Sequence, residues 1–330
     1  MIFLKKFISA GILSAVTGAF LCGCTSGTHK VPTAPMFDEP VTTAQPAEPQ
    51  AEVQDSGNIV QPQDGVFIYD KAATLTNTEF DECNEYAKML YSRYLLNTAV
   101  VITNDLAGMS AETYAAKAYS ELYSGTESGL LFLVNNATQE DILYKAGQCS
   151  RFIDEVSERD ELYHATKYLV VGNYKDAILT MLKLGEKCPV NIVDSCNAFD
   201  DDTALEFNAS LENCANSVTL VAENNTSELP AAELAGRYYS RKYADEAGYL
   251  ILLDKKTRSV TAVTQGELPA EIAELVNAAN QTAANDDFVG AANRLISGFG
   301  GIPLTIPDEG VAAETEYDES TDDELTEETE

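Results

Sequence analysis

The chain has no tryptophan and only two histidines in 330 residues, and its 21 lysines and arginines face 53 aspartates and glutamates. Each shortage removes a class of function. A formal charge of −32 repels nucleic acid and anionic phospholipid, so neither is expected as a partner. The same charge suits diffuse counter-cations such as calcium, though the simpler reading is that acidity keeps an exported protein soluble. His29 lies in a polar N-terminal stretch and His164 on an expected helix beside Tyr163 and Tyr168, so a Ser-His-Asp set would have to use His164 alone. There is no Gly-x-Ser-x-Gly elbow, no phosphate-binding glycine loop and no His-Glu-x-x-His pair. Asp200-Asp201-Asp202 lacks the alternating ligands of a calcium loop and reads as an acid-rich helix start. Without tryptophan, a sugar platform built from Tyr86, Tyr91, Tyr94, Tyr238, Tyr239 and Tyr243 is disfavoured; tyrosine at helical spacing fits half-buried packing.

Long apolar runs are also missing. Phe7 to Cys22 falls short of the roughly 20 residues that a spanning helix needs. It follows Lys5 and Lys6 and closes on Leu21-Cys22-Gly23-Cys24, a pattern similar to the lipobox of bacterial lipoproteins. Cleavage would remove residues 1–23 and leave Cys24 as a lipidated N-terminus, placing the protein on the extracytoplasmic face of the cell membrane. Residues 24–64 are rich in Pro, Ala, Gln, Glu and Thr and are expected to form a disordered tether. Residues 305–330 form an acidic tail, with twelve acids and no Lys or Arg from Pro307 onward.

Between these ends the chain repeats itself. Val66 to Asp70 reads as a strand ending in aspartate, with Leu75 five residues later and Thr76 and Glu79 set as a capping box. Val190 to Asp194, Phe199 and Asp200 repeat that spacing. Buried-strand patterns at 98–103 and 217–221 follow, then amphipathic helices at 110–123 and 230–243, with Tyr119 and Tyr123 spaced like Tyr239 and Tyr243. From Gly129 to Gly147 and from Gly248 to Gly266 the registers agree without a gap: strand, charged hairpin turn, strand, glycine. Two helices close each half. The pattern predicts two tandem α/β domains, residues 65–188 and 189–304, each a small mixed sheet with helices on both faces.

The order of signals resembles the TPM domain, found in exported or membrane-anchored bacterial proteins and in the thylakoid lumen. The residues that carry the likeness are Tyr69-Asp70, Leu75-Thr76, Tyr114-Ala115, Glu127-Ser128-Gly129-Leu130-Leu131, Gly147-Gln148-Cys149, Asp154 and Gly172-Asn173-Tyr174. The likeness covers about 70–188 and, more weakly, 194–299. It implies a sheet between helices with carboxylates clustered at one end. Some members of that family bind calcium there, and acid-phosphatase activity is ascribed to others. Position by position, it assigns Asp70, Glu127 and Asp154 as candidate metal ligands, with Asp194 and Glu246 in the corresponding places of the second half. The chain departs from the family where Ser128 and Ala247 replace the asparagine before the turn glycine, and where Cys149 and Leu268 replace the second glycine of Gly-x-Gly. A Cβ there obstructs close approach of a ligand to backbone.

Two functions therefore stand as expectations. One is a membrane-anchored binding or scaffolding module with calcium near Asp70 and an envelope protein as partner. The other is a metal-assisted phosphatase using the acids of the first domain. Apart from Cys24, the body carries Cys83, Cys149, Cys188, Cys196 and Cys214, an odd number. Cys188 with Cys196 is the shortest bridge to draw and would staple the linker between the halves; five buried thiols is the alternative.

Overall fold

The computed structural model describes residues 59–305 apart from 124–126 and 228. The lipobox, Cys24, most of the expected tether and the acidic tail lie outside the described residues. Those described all belong to one compact unit.

Each expected strand and helix forms within a few residues of its predicted bounds. The first half runs β1 (Ile68–Asp70), α1 (Asn77–Arg93), β2 (Asn97–Thr103), α2 (Ala111–Leu122), β3 (Gly129–Asn135), β4 (Ile142–Ala146), α3 (Gln148–Phe152), α4 (Glu155–Val170) and α5 (Tyr174–Leu182). The second runs β5 (Ile192–Asp194), α6 (Asp201–Glu212), β6 (Val218–Glu223), α7 (Ala231–Tyr243), β7 (Tyr249–Asp254), β8 (Ser259–Thr264), α8 (Ala270–Ala283) and α9 (Phe288–Gly298). Local chemistry sets these starts. Thr76 and Glu79 make the expected reciprocal capping box on α1. Asp200 caps α6 by accepting from the Thr203 amide, which is the job the acidic triplet does. The one-turn α3 was not expected from sequence.

Each half holds one four-stranded sheet, in the orders β1-β2-β3-β4 and β5-β6-β7-β8. The first three strands of each are parallel and the last is antiparallel. Alternate strand residues feed two cores. Val100, Ile102, Leu130 and Phe132 pack with α1, α4 and α5, whereas Ala99, Val101, Leu131 and Leu133 pack with α2. The second half repeats the division, with α6, α8 and α9 on one face and α7 on the other. Two successive crossovers thus move the same way across a parallel sheet but along opposite faces. They must have opposite hands, so each half contains one crossover of the rare left-handed kind. The two halves share this rare arrangement.

The chain just before β1 is seated on the first half. Val60 is buried against the α2 face, and the Ile59 and Val60 amides donate to Glu121 Oε2 at 2.8 and 3.0 Å. Residues 59 and 60, read from composition as the end of the tether, are an apolar pair in a polar stretch and behave as part of the fold.

Candidate functional site

Asp70 ends β1, and its carboxylate is occupied by its own loop. It accepts from the amides of Ala72 (3.2 Å), Thr74 (2.7 Å) and Leu75 (2.8 Å). Asp194 ends β5 and accepts from Cys196 (3.2 Å), Ala198 (3.0 Å) and Phe199 (3.0 Å), at the same offsets of two, four and five residues. The chain turns sharply out of a parallel strand at both points, and one carboxylate satisfies three amides that would otherwise lack partners. At the other strand ends the same logic recurs. Asn135 accepts from the amides two and three residues on, and Asp254 does likewise in the second half.

Glu127 lies at the opposite edge of the first sheet. Pairing sets Asp70 level with Ile102 and Val134, seven residues beyond Glu127 along the chain. At about 3.3 Å per residue the two acids stand roughly 20 Å apart along the strand direction. Glu127 Oε2 accepts from Asn97 Nδ2, and its backbone carbonyl from the Tyr119 hydroxyl at 2.9 Å. Glu246 offers its carbonyl to Tyr239 in the same way, at 3.0 Å. Asp154 is exposed and caps α4, accepting from the Ser157 amide at 2.8 Å and pairing with Lys187 at 3.4 Å. Those contacts hold its carboxyl well below the usual carboxylate range, the Ser157 bonds contributing most. The structure therefore does not bring Asp70, Glu127 and Asp154 together. Among the described residues no group of three or more His, Cys, Asp or Glu side chains could hold a metal ion.

The edge that carries Glu127 is close-packed. A Cβ on Gly129 would fall 2.0 Å from the Asn97 carbonyl oxygen, and Gly147, at φ +53°, has Ser128 Oγ 2.4 Å from where its Cβ would be. Against this edge sits the C-terminal edge of the second sheet. Ser128 N donates to Ser195 Oγ at 3.2 Å, and the two hydroxyls lie 2.9 Å apart. The Asp194 amide donates to Gln148 Oε1 at 3.2 Å. Arg151 on α3 reaches across to Asp194 Oδ2 (2.9 Å), Asp201 Oδ1 (2.6 Å) and the Phe199 carbonyl (2.8 Å). Burial alone would lower the Arg151 pKa, but the bonds to Asp194 and Asp201 outweigh it and raise the value. A second contact joins α1 to α7: Arg241 donates to the Tyr91 carbonyl (2.6 Å) and Asn97 Oδ1 (3.0 Å) and stacks 3.5 Å from the Tyr91 ring centre. Burial lowers the Arg241 pKa, and its Nη2 is shielded from solvent without a hydrogen-bond partner.

One cavity at this junction, of about 560 Å³, is lined by Glu127, Lys145 and Gly147 from the first half and Ser195, Glu223 and Leu234 from the second. Burial raises the Glu223 pKa, with the negative charges of Glu127 and Asp254 adding to it and a 2.6 Å bond from the Tyr238 hydroxyl opposing it. Glu223, Ser195, Arg151 and Arg241 were not singled out from sequence. Their partners lie in the other half or across a fold, and no local spacing marks them. His164 is largely exposed on α4, 4.0 Å from Glu161.

The sequence profile of the TPM domain matches residues 68–185, ending before β5. No curated protein matches the chain. Among solved structures, the solution NMR structure of the N-terminal domain of a protein from P. gingivalis, a structural-genomics target, is 16% identical, with a TM-score of 0.34 over 37% of this chain and 82% of that one. Residues 68–185, from β1 to the turn after α5, are a TPM domain.

Proposed function

We propose that the protein is a lipid-anchored, extracytoplasmic binding module of the cell envelope. In this reading Cys24 carries the lipid, the polar segment that follows spaces the body from the membrane, and the TPM domain with its companion half presents a protein-binding surface. The observation that carries the non-catalytic part is the use of the acids. Asp70 and Asp194 each accept from three backbone amides of their own loops, Asp154 caps a helix, and Glu127 accepts from Asn97 at the junction with the second half. A metal-assisted phosphatase needs several carboxylates on one water-accessible ion with room for phosphate, and these residues are committed elsewhere.

Two measurements test the reading. Cys24→Ala should move the protein from the membrane fraction to the soluble one and abolish palmitate labelling; unchanged fractionation would remove the anchor. Hydrolysis of p-nitrophenyl phosphate by the purified chain should stay at the buffer rate with and without calcium. A calcium-dependent rate lost in Asp70→Ala would replace the binding reading with the phosphatase one.

A further inference from the structure

Cys149 and Cys188 are the one pair of sulfurs in contact among the described residues, 3.6 Å apart in the core of the first half and 39 residues apart in sequence. Cys196, the nearer neighbour in sequence, turns its sulfur to Asp194 Oδ1 at 3.7 Å instead. We propose that Cys149 and Cys188 form a disulfide that locks the junction between the two halves. Closing the bond needs the sulfurs to approach by about 1.5 Å, within reach of side-chain rotation. Chemically, the two thiols lose two protons and two electrons to a disulfide oxidant, such as oxidised glutathione or a thiol–disulfide oxidoreductase, which is reduced to two thiols.

Position gives the bond its consequence. Cys149 lies on α3 between Gln148 and Arg151, the two residues that grip Asp194. Cys188 stands four residues before β5, the strand that ends in Asp194. The link therefore fixes the grip and the start of the gripped segment to one another. Both sulfurs are buried, and burial raises the Cys149 thiol well above its ordinary range, with the Cys188 contact adding to this. The folded, reduced protein is thus slow to react, and the bond forms while the chain folds in an oxidising compartment.

The full chain should be refolded in oxidised and reduced glutathione, blocked with a thiol reagent, digested without reduction and mapped by mass spectrometry. The expected product is a Cys149–Cys188 linked peptide, lighter by two hydrogens than its separate parts. Relative to the reduced protein, the Tm should rise by roughly 10 °C, as expected for a loop of this length in a body of this size. Cys149→Ala and Cys188→Ala should each abolish that oxidation-dependent rise, while Cys196→Ala keeps it. A Cys188–Cys196 peptide, or recovery of both Cys149 and Cys188 as free thiols, would overturn the proposal, and the peptide map gives that answer without any variant having to fold.

Discussion

Asp194→Ala should lower the unfolding free energy by about 3–5 kcal/mol, the range for breaking a buried charge pair from one side. Three amides lose their acceptor at once, and the Arg151 guanidinium loses its fully buried carboxylate while keeping Asp201, the Phe199 carbonyl and Asn197. Asp194→Asn keeps one acceptor oxygen and should cost less. Asp70→Ala removes the same three amide bonds, but at a half-buried position with no arginine facing it, so a loss of about 1–3 kcal/mol is expected. Urea denaturation of the three variants beside the unmutated chain measures the order. If Asp70→Ala proves the costlier, the interface salt bridge contributes nothing and the loop bonds act alone.

Arg241→Ala should cost about 2–4 kcal/mol, combining two hydrogen bonds from a charged donor with the lost stacking on Tyr91. Arg241→Lys should recover little of this. A single ammonium cannot serve the Tyr91 carbonyl and the Asn97 amide from one plane while lying over a ring. Because Asn97 also donates to Glu127, the variant should loosen the edge before β3 as well as the contact between α1 and α7. Hydrogen exchange would show faster amides in both places. Loss confined to α7 would mean that Asn97 holds Glu127 without help from the second half.

Most of the elements, and the repetition of their order in the two halves, were legible in the sequence. Runs such as Thr98–Ile102 and Leu130–Val134 are buried on both faces and so read as near-continuous apolar strands. Helix starts carried their own marks in Thr76 and Asp200. The shared Asp offset was legible too, since Leu75 and Phe199 stand five residues after Asp70 and Asp194, but what the offset does was not. Spacing alone reads equally as a ligand position or as a loop acceptor, and only the amide directions decide. The junction was illegible for a different reason. Arg151 meets Asp194 across 43 residues and Arg241 meets Asn97 across 144, and neither arginine sits in a local pattern that its partner completes. The same distance in sequence hid the nearness of Cys149 to Cys188.

In both halves the aspartate that ends the first strand acts as a loop acceptor. Residue-resolved amide exchange of the full chain, with calcium present and with it chelated, tests this most directly. The amides of Ala72, Thr74, Leu75, Cys196, Ala198 and Phe199 should be protected equally in both conditions. Asp70→Ala should expose only the first three and Asp194→Ala the second three. Protection of the Asp70 loop that appears only with calcium would contradict the account and make that carboxylate a metal ligand.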